Sequence, residues 1–206
     1  MNPELNPMHR VCVFCGANIG SSQIYAQAAQ AMAHTLLERD MELVYGGGSV
    51  GLMGLVARTV LAGGGKVTGI IPRALTTREL AGDVIGELIV VDTMAERKER
   101  MLTLADGFVV LPGGLGTMDE LFEALTWGQL GIQSKPVGLL NVHGYFDPIL
   151  RWVDHAVMEG FVRPHHRHLL VAADTPAALL DAMAVQELPA GLVSWGTLLA
   201  ESDELN

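Results

Sequence analysis

The sequence predicts an α/β fold, a three-layer Rossmann-like arrangement in which a central parallel sheet carries helices on both faces. Three observations predict it. Short apolar, β-branched runs of strand length alternate along the chain with stretches of helical apolar period. Three strand-to-helix junctions carry glycine clusters, at Gly16 to Gly20, Gly46 to Gly48 and Gly113 to Gly116. Half of the residues are apolar, yet the apolar runs are broken by glycine or charge, and none reaches the roughly 18 residues of a membrane span. Strands joined through helices pair in parallel by right-handed crossovers, and ligands on such sheets bind beyond the carboxyl ends of the strands. All three glycine turns fall on that edge.

Taken in order, Val11 to Cys15 reads as a strand, followed by a turn that carries a helix cap and an Ala-rich helix from about Gln23 to Arg39. Glu42 to Tyr45 is a second strand, which runs through Gly46-Gly47-Gly48-Ser49 into a helix near Leu52 to Ala62. Lys66 to Ile71 is a third, stopped by Pro72, and Leu88 to Val91 a fourth after the polar segment Arg73 to Gly86. A helix from about Thr93 to Ala105 precedes a fifth strand, Phe108 to Leu111. Pro136 to Asn141 is a sixth, with a helix near Phe146 to Glu159; Leu169 to Ala172 and a helix around Pro176 to Val185 complete the pattern.

The 206 residues suffice for one well-buried domain spanning 1–206, with its core at about 11–185 and a tail, 186–206, that shows no clear period. The formal net charge of −10 argues against broad binding to nucleic acid or acidic membrane. An anionic substrate therefore needs a locally basic pocket. Met1 to Pro7 shows no secretory signal, so a cytoplasmic location is expected. Cys12 and Cys15 form a C-x-x-C spacing, but on a strand residues three apart point to opposite faces, which disfavours a redox or metal role. His165, His166 and His168 cluster in a loop without a second ligand cluster, so no metal site is expected.

The chain is organised around Leu111-Pro112-Gly113-Gly114-Leu115-Gly116-Thr117-Met118-Asp119-Glu120. Glycines on a strand-to-helix turn let backbone approach a ligand, and the unpaired N–H groups and dipole of the helix start favour an anion such as phosphate. Thr117 offers a hydroxyl. Glu120, a turn further on, sets a carboxylate just beyond the phosphate pocket, where it suits chemistry on a sugar. Thr117 to Glu120 equally fits a capping box, in which the Glu reaches back to backbone N–H. A second motif bears on the choice. In Met94-Ala95-Glu96-Arg97-Lys98, Arg97 sits in a stripe with Met94, Met101, Leu104 and Ala105 that should face the core. A cation there needs a partner. Either it snorkels or pairs on the surface, or Arg97 and Lys98 lie beside Glu120 and supply positive charge.

Met94-x-x-Arg97-Lys98 followed after a strand by Pro112-Gly113-Gly114-x-Gly116-Thr117-x-x-Glu120 resembles the signature pair of the Lonely Guy (LOG) family, cytokinin-activating nucleoside 5′-monophosphate phosphoribohydrolases. The resemblance extends from Val11 to about Phe161 and includes Val44 to Gly48, Gly69 to Pro72, Thr126-Trp127-x-Gln129-Leu130-Gly131 and Lys135 to Asn141. It implies hydrolysis of the N-glycosidic bond of AMP or an N6-prenylated AMP to free base and ribose 5-phosphate, by a homodimer without metal or other cofactor. In that family the residues matching Arg97 and Glu120 are the catalytic pair. The glycine-rich loop matching Gly113, Gly114, Leu115, Gly116 and Thr117 holds the 5′-phosphate, and positions matching Glu79, Met94, Lys98, Met118, Asp119 and Thr126 belong to the substrate site. Two departures bear on substrate preference: Ala95 stands where many members have His, and Ala17-Asn18 replace a Ser-Ser pair. The alternatives are a nucleotide or molybdenum-cofactor carrier that uses the same pocket for binding only, and a general AMP nucleosidase of salvage. A lysine decarboxylase would need a Schiff-base lysine, and Lys66, Lys98 and Lys135 are the only lysines.

Overall fold

The computed structural model describes residues 6–76 and 83–191. Seven strands form one parallel sheet in the order β4-β3-β2-β1-β5-β6-β7. They are β1 (Arg10–Phe14), β2 (Glu42–Tyr45), β3 (Val67–Pro72), β4 (Glu87–Val91), β5 (Gly107–Val110), β6 (Val137–Leu140) and β7 (Val171–Ala173). The helices are α1 (Gln23–Glu38), α2 (Gly51–Ala62), α3 (Met94–Leu104), α4 (Leu115–Leu130), α5 (Asp147–Met158) and α6 (Pro176–Ala184). The expected seventh strand starts two residues late. His166 and Leu169 are buried in a 3-10 turn, Pro164–Leu169, that fills the space before it.

Two apolar layers flank the sheet, and the alternation along β1 separates them. Val11, Val13 and Cys15 face a core with α1, α2 and α6, built on Met32, Leu36, Val56 and Leu179. Cys12 and Phe14 face the other, with α3, α4 and α5, built on Met101, Leu121 and Phe146. The two cysteines therefore lie on opposite sides of the sheet, as period-2 geometry requires, and both are free and buried. Burial pushes both thiols above their ordinary range. The central strands are buried on both faces, which is why they read as unbroken apolar runs, whereas β4 at the edge is only partly covered.

Helix ends follow local chemistry. Ser22 caps α1, and Thr93 caps α3 by accepting from the Glu96 N–H, while Glu96 reaches back to the Asp92 N–H. Helix α4 ends at Gly131 in the left-handed region, at φ 78°, where glycine carries no Cβ penalty. No helix among the described residues is long and apolar enough to cross a membrane.

The strand order reverses between β1, which leads outward through β2, β3 and β4, and β5, which leads through β6 and β7. A crevice opens at such a switch point. The loops after β1 and β5 meet there, with the Gly16 N–H donating to the Pro112 carbonyl at 3.1 Å.

Candidate active site

The loop after β5 delivers the chain into α4 without a side-chain cap. Its N-cap is Gly114, so Thr117 is the third residue of the helix, not its cap, and the Thr117–Glu120 capping box does not form. Thr117 is buried, with its Oγ1 filling the place of the missing Gly113 Cβ. No side chain caps the first-turn amides of α4, and uncapped helix starts are sites where anions bind. Space for one is present: a Cβ on Gly114 or Gly116 would meet nothing within 4 Å, and Leu115 is 90% exposed.

Glu120 is occupied elsewhere. Its Oε1 accepts from Arg97 Nη1 at 2.8 Å, across the gap between α3 and α4. Arg97 is 8% exposed and fully engaged: Nε donates to the Ile70 carbonyl at 3.1 Å and Nη2 to the Gly46 carbonyl at 3.4 Å. The cation in the apolar stripe is thus a buried, paired guanidinium and not a snorkelling one. Burial pushes the Glu120 carboxyl above its ordinary value, and Arg97 pulls against that without cancelling it. The carboxyl is held buried beside its counter-ion.

Lys98, next in sequence, binds Asp119 at 3.2 Å and Glu123 at 3.1 Å on α4. Two ion-pair sets therefore tie α3 to α4 side by side. Burial pulls Lys98 down, but Glu123 and Asp119 together hold it above its ordinary value. Met94 departs from the expectation that it faces the core. As the first residue of α3 it stands at the open carboxyl edge of the sheet and is 46% exposed, whereas Met101 and Ala105 are buried. Met118 is partly buried against the α3–α5 core. Thr126 lies on α4 about 9 Å beyond Glu120 at 1.5 Å per residue, with its hydroxyl returned to the Phe122 carbonyl at 2.6 Å. Glu79 lies outside the described residues.

Two contributors carry no separate signal in the sequence reading. Gly46 lies against Arg97 so closely that a Cβ on it would stand 1.9 Å from Nη2. The glycine cluster after β2 marks the position, but only the fold shows what presses on it. Tyr145, in the loop between β6 and α5, donates its hydroxyl to the Gly113 carbonyl, and nothing in the sequence links those two positions. Among the described residues no group of three or more His, Cys, Asp or Glu side chains is placed to hold a metal ion. His166 is buried, and burial holds its pKa below the ordinary value.

Residues 53–183 match a family model described as "Possible lysine decarboxylase". Over 181 residues the chain is 52% identical to the cytokinin riboside 5′-monophosphate phosphoribohydrolase LOG2 of Arabidopsis thaliana, covering 88% of this chain and 85% of that protein. The chain belongs to the LOG family. It is likewise 52% identical over 172 residues to a probable cytokinin riboside 5′-monophosphate phosphoribohydrolase of Oryza sativa subsp. japonica, covering 84% of this chain and 70% of that protein. Among solved structures, the molybdenum cofactor binding protein of Rippkaea orientalis superposes with a TM-score of 0.64 at 20% identity, covering 85% of this chain and 94% of that one. At that identity the likeness is one of fold. The LOG-family chain shares the Rossmann-like architecture, and the Arg97–Glu120 pair sits at the carboxyl edge where ligands of such sheets lie.

All three lysines are engaged. Lys66 binds Glu42 at 2.7 Å just before β3, Lys98 binds its two carboxylates, and Lys135 Nζ donates to the Leu102 carbonyl at 2.6 Å. Each amine is thus tied to a carboxylate or a backbone carbonyl.

Proposed function

We propose that this LOG-family protein is a phosphoribohydrolase that cleaves the N-glycosidic bond of a nucleoside 5′-monophosphate, a cytokinin ribotide or AMP, to free base and ribose 5-phosphate. The observation that carries this reading is the buried pair of Arg97 on α3 and Glu120 on α4, 2.8 Å apart, with Glu120 on the helix whose uncapped start opens on Gly114 and Gly116. In this reading the 5′-phosphate takes the amides of Leu115, Gly116 and Thr117, which places the ribose toward Glu120. Met94, Lys98 and Asp119 border the remainder of the substrate, and the family resemblance adds Met118, Thr126 and Glu79 to the substrate site.

Breaking the C1′–N bond develops positive charge on the ribose and negative charge on the base. A carboxylate at Glu120 stabilises that cation and takes the proton of the attacking water as its oxygen bonds C1′, and the departing base gains a proton in turn, which leaves ribose 5-phosphate and free base. The pKa raised by burial suits this, since a base works best when its pKa lies closer to the working pH. Arg97 keeps the carboxylate ionised and oriented. The reaction calls for no redox group or metal. A binding-only carrier would have no use for a buried carboxylate beside its phosphate seat, which favours the enzyme over that alternative.

We also infer that the protein is a single-domain cytoplasmic homodimer. The exposed apolar side chains Trp152, Met158 and Phe161 supply surface that a second copy would cover. Sedimentation of the purified chain tests that assembly.

The deciding experiment is chromatographic detection of free base from AMP and from isopentenyladenosine 5′-monophosphate, with the native protein and Glu120→Gln in parallel. Glu120→Gln is expected to lose about 10²- to 10⁴-fold in kcat, the span of general acid–base catalysis. The ratio of the two native rates separates cytokinin activation from salvage. An undiminished rate in the variant would remove Glu120 from the chemistry, and tight nucleotide binding without release would leave a carrier.

A further inference from the structure

The carbonyls of the glycine loop are taken one after another from the protein side. Pro112 accepts from the Gly16 N–H and Gly114 from the Met118 N–H, both at 3.1 Å and both backbone bonds. The carbonyl between them, Gly113, accepts from a side chain, the Tyr145 hydroxyl. In a planar trans peptide the C=O and N–H point in opposite directions. A bond that fixes the Gly113 carbonyl therefore fixes the Gly114 N–H, which faces away from it. Gly114 is the N-cap of α4, with open space around its missing Cβ.

We propose that Tyr145 is a positioning residue for the phosphate seat, its hydroxyl holding the Gly113–Gly114 peptide so that the Gly114 N–H joins the first-turn amides of α4 as a donor to the 5′-phosphate. The inference rests on the phosphoribohydrolase reading and deepens it. Tyr145 is well held for the task. Its ring meets those of Tyr25 and Phe146 edge-on, with centroids 5.7 and 5.0 Å away, and Phe146 is fully buried. The turn that presents it passes through His143 at φ 50° and Gly144 at φ 70°. Asn141 locks that turn, accepting from the Phe146 N–H at 2.7 Å and donating to Asp147 at 2.8 Å. The hydroxyl is thus delivered from a rigid support, so little ordering remains to be done when an anion arrives. Without that bond the peptide between Gly113 and Gly114 is free to rotate, and glycine on both sides makes rotation easy.

Tyr145→Phe removes the hydroxyl and keeps the ring, so the packing against Tyr25 and Phe146 is preserved. The test compares it with the native protein in kcat and KM for AMP, and in titrations of inorganic phosphate and of adenosine followed by calorimetry. The expected result is a rise in KM for AMP and in Kd for phosphate together, by about two- to tenfold, the range of one hydrogen bond. The value of kcat should change less than twofold, and the Kd for adenosine should not move. An unchanged Kd for phosphate would overturn the proposal, and so would a fall in kcat with the phosphate Kd unmoved. The titrations need no turnover. A native protein that binds phosphate but releases no base would therefore sink the enzymatic reading while the comparison at Tyr145 still stands or falls by itself.

Discussion

At the scale of single residues, the site is decided by what it costs to bury Arg97. A guanidinium in an apolar stripe must find acceptors, and it has three: Glu120 and the carbonyls of Gly46 and Ile70. That much was legible, because a cation in a core-facing stripe is anomalous and Glu120 was the candidate partner nearest in motif. Met94 was misread by the same periodicity, since a helix stripe does not tell which of its residues lie past the rim of the sheet. The pairing has a pH consequence. Glu120 acts ionised, and its carboxyl is raised by burial, so the acid limb of kcat should lie above the ordinary carboxylate value of about 4.3. Arg97 lowers that pKa. Arg97→Gln keeps a donor but removes the charge, so Glu120 loses its pull toward ionisation and holds its proton to higher pH. The acid limb of the variant's pH–rate profile should therefore move upward from the native one. A limb that stays in place would mean that some other group sets it.

At the scale of elements, α4 trades stability for an anion seat. Its start has no side-chain cap, and Gly116 lies within its first turn with nothing near its missing Cβ. Glycine in a helix costs about 0.5–1 kcal/mol relative to alanine, so Gly116→Ala should raise Tm while filling the space over the amides and raising KM. Gly113→Ala should do the reverse to stability. There a Cβ would stand 2.1 Å from Thr117 Oγ1 and 2.8 Å from the Gly16 backbone nitrogen, so the loop or Thr117 must shift. Thermal unfolding and KM for AMP measured on both variants check the pair, and a Gly116→Ala protein no more stable than the native one would contradict the account. The helix start is readable from the glycine turn that follows the fifth strand. Its cap is not, because the Thr-x-x-Glu pattern that signals a capping box also serves a glutamate engaged across the helix pair, and only the placement of α3 separates the two uses.

At the scale of the whole molecule, alternating strands and helices were enough to specify a parallel sheet with two covered faces, since the crossovers leave few topologies open. The order of the strands, and hence the switch point at which the loops after β1 and β5 meet, was not written in the pattern. Nor was the clasp at the opposite edge, which lies at the start of the tail that periodicity left unassigned. Gln186 is buried there. Its Oε1 accepts from the Val137 N–H at the start of β6 at 3.2 Å, its Nε2 donates to the His168 carbonyl at 2.7 Å, and its own carbonyl accepts from Asn6 Nδ2 at 2.9 Å. Asn6 also bonds Met183 and Ala184 at the end of α6, so one amide side chain helps join the N-terminal segment, β6, the 3-10 turn and α6. Gln186→Ala would leave the buried Val137 N–H without its partner, at a cost of about 1–3 kcal/mol. For a chain of this size each kcal/mol corresponds to about 2–4 °C in Tm. The clasp sits at the amino end of β6, whereas Arg97, Glu120 and the glycine loop lie at the carboxyl edge, so kcat and KM at 25 °C should stay near native values while Tm falls by several degrees. An unaltered Tm would show that water or a neighbouring group satisfies Val137 as well as Gln186 does, and a loss of activity without a loss of stability would mean that the two edges of the sheet are coupled.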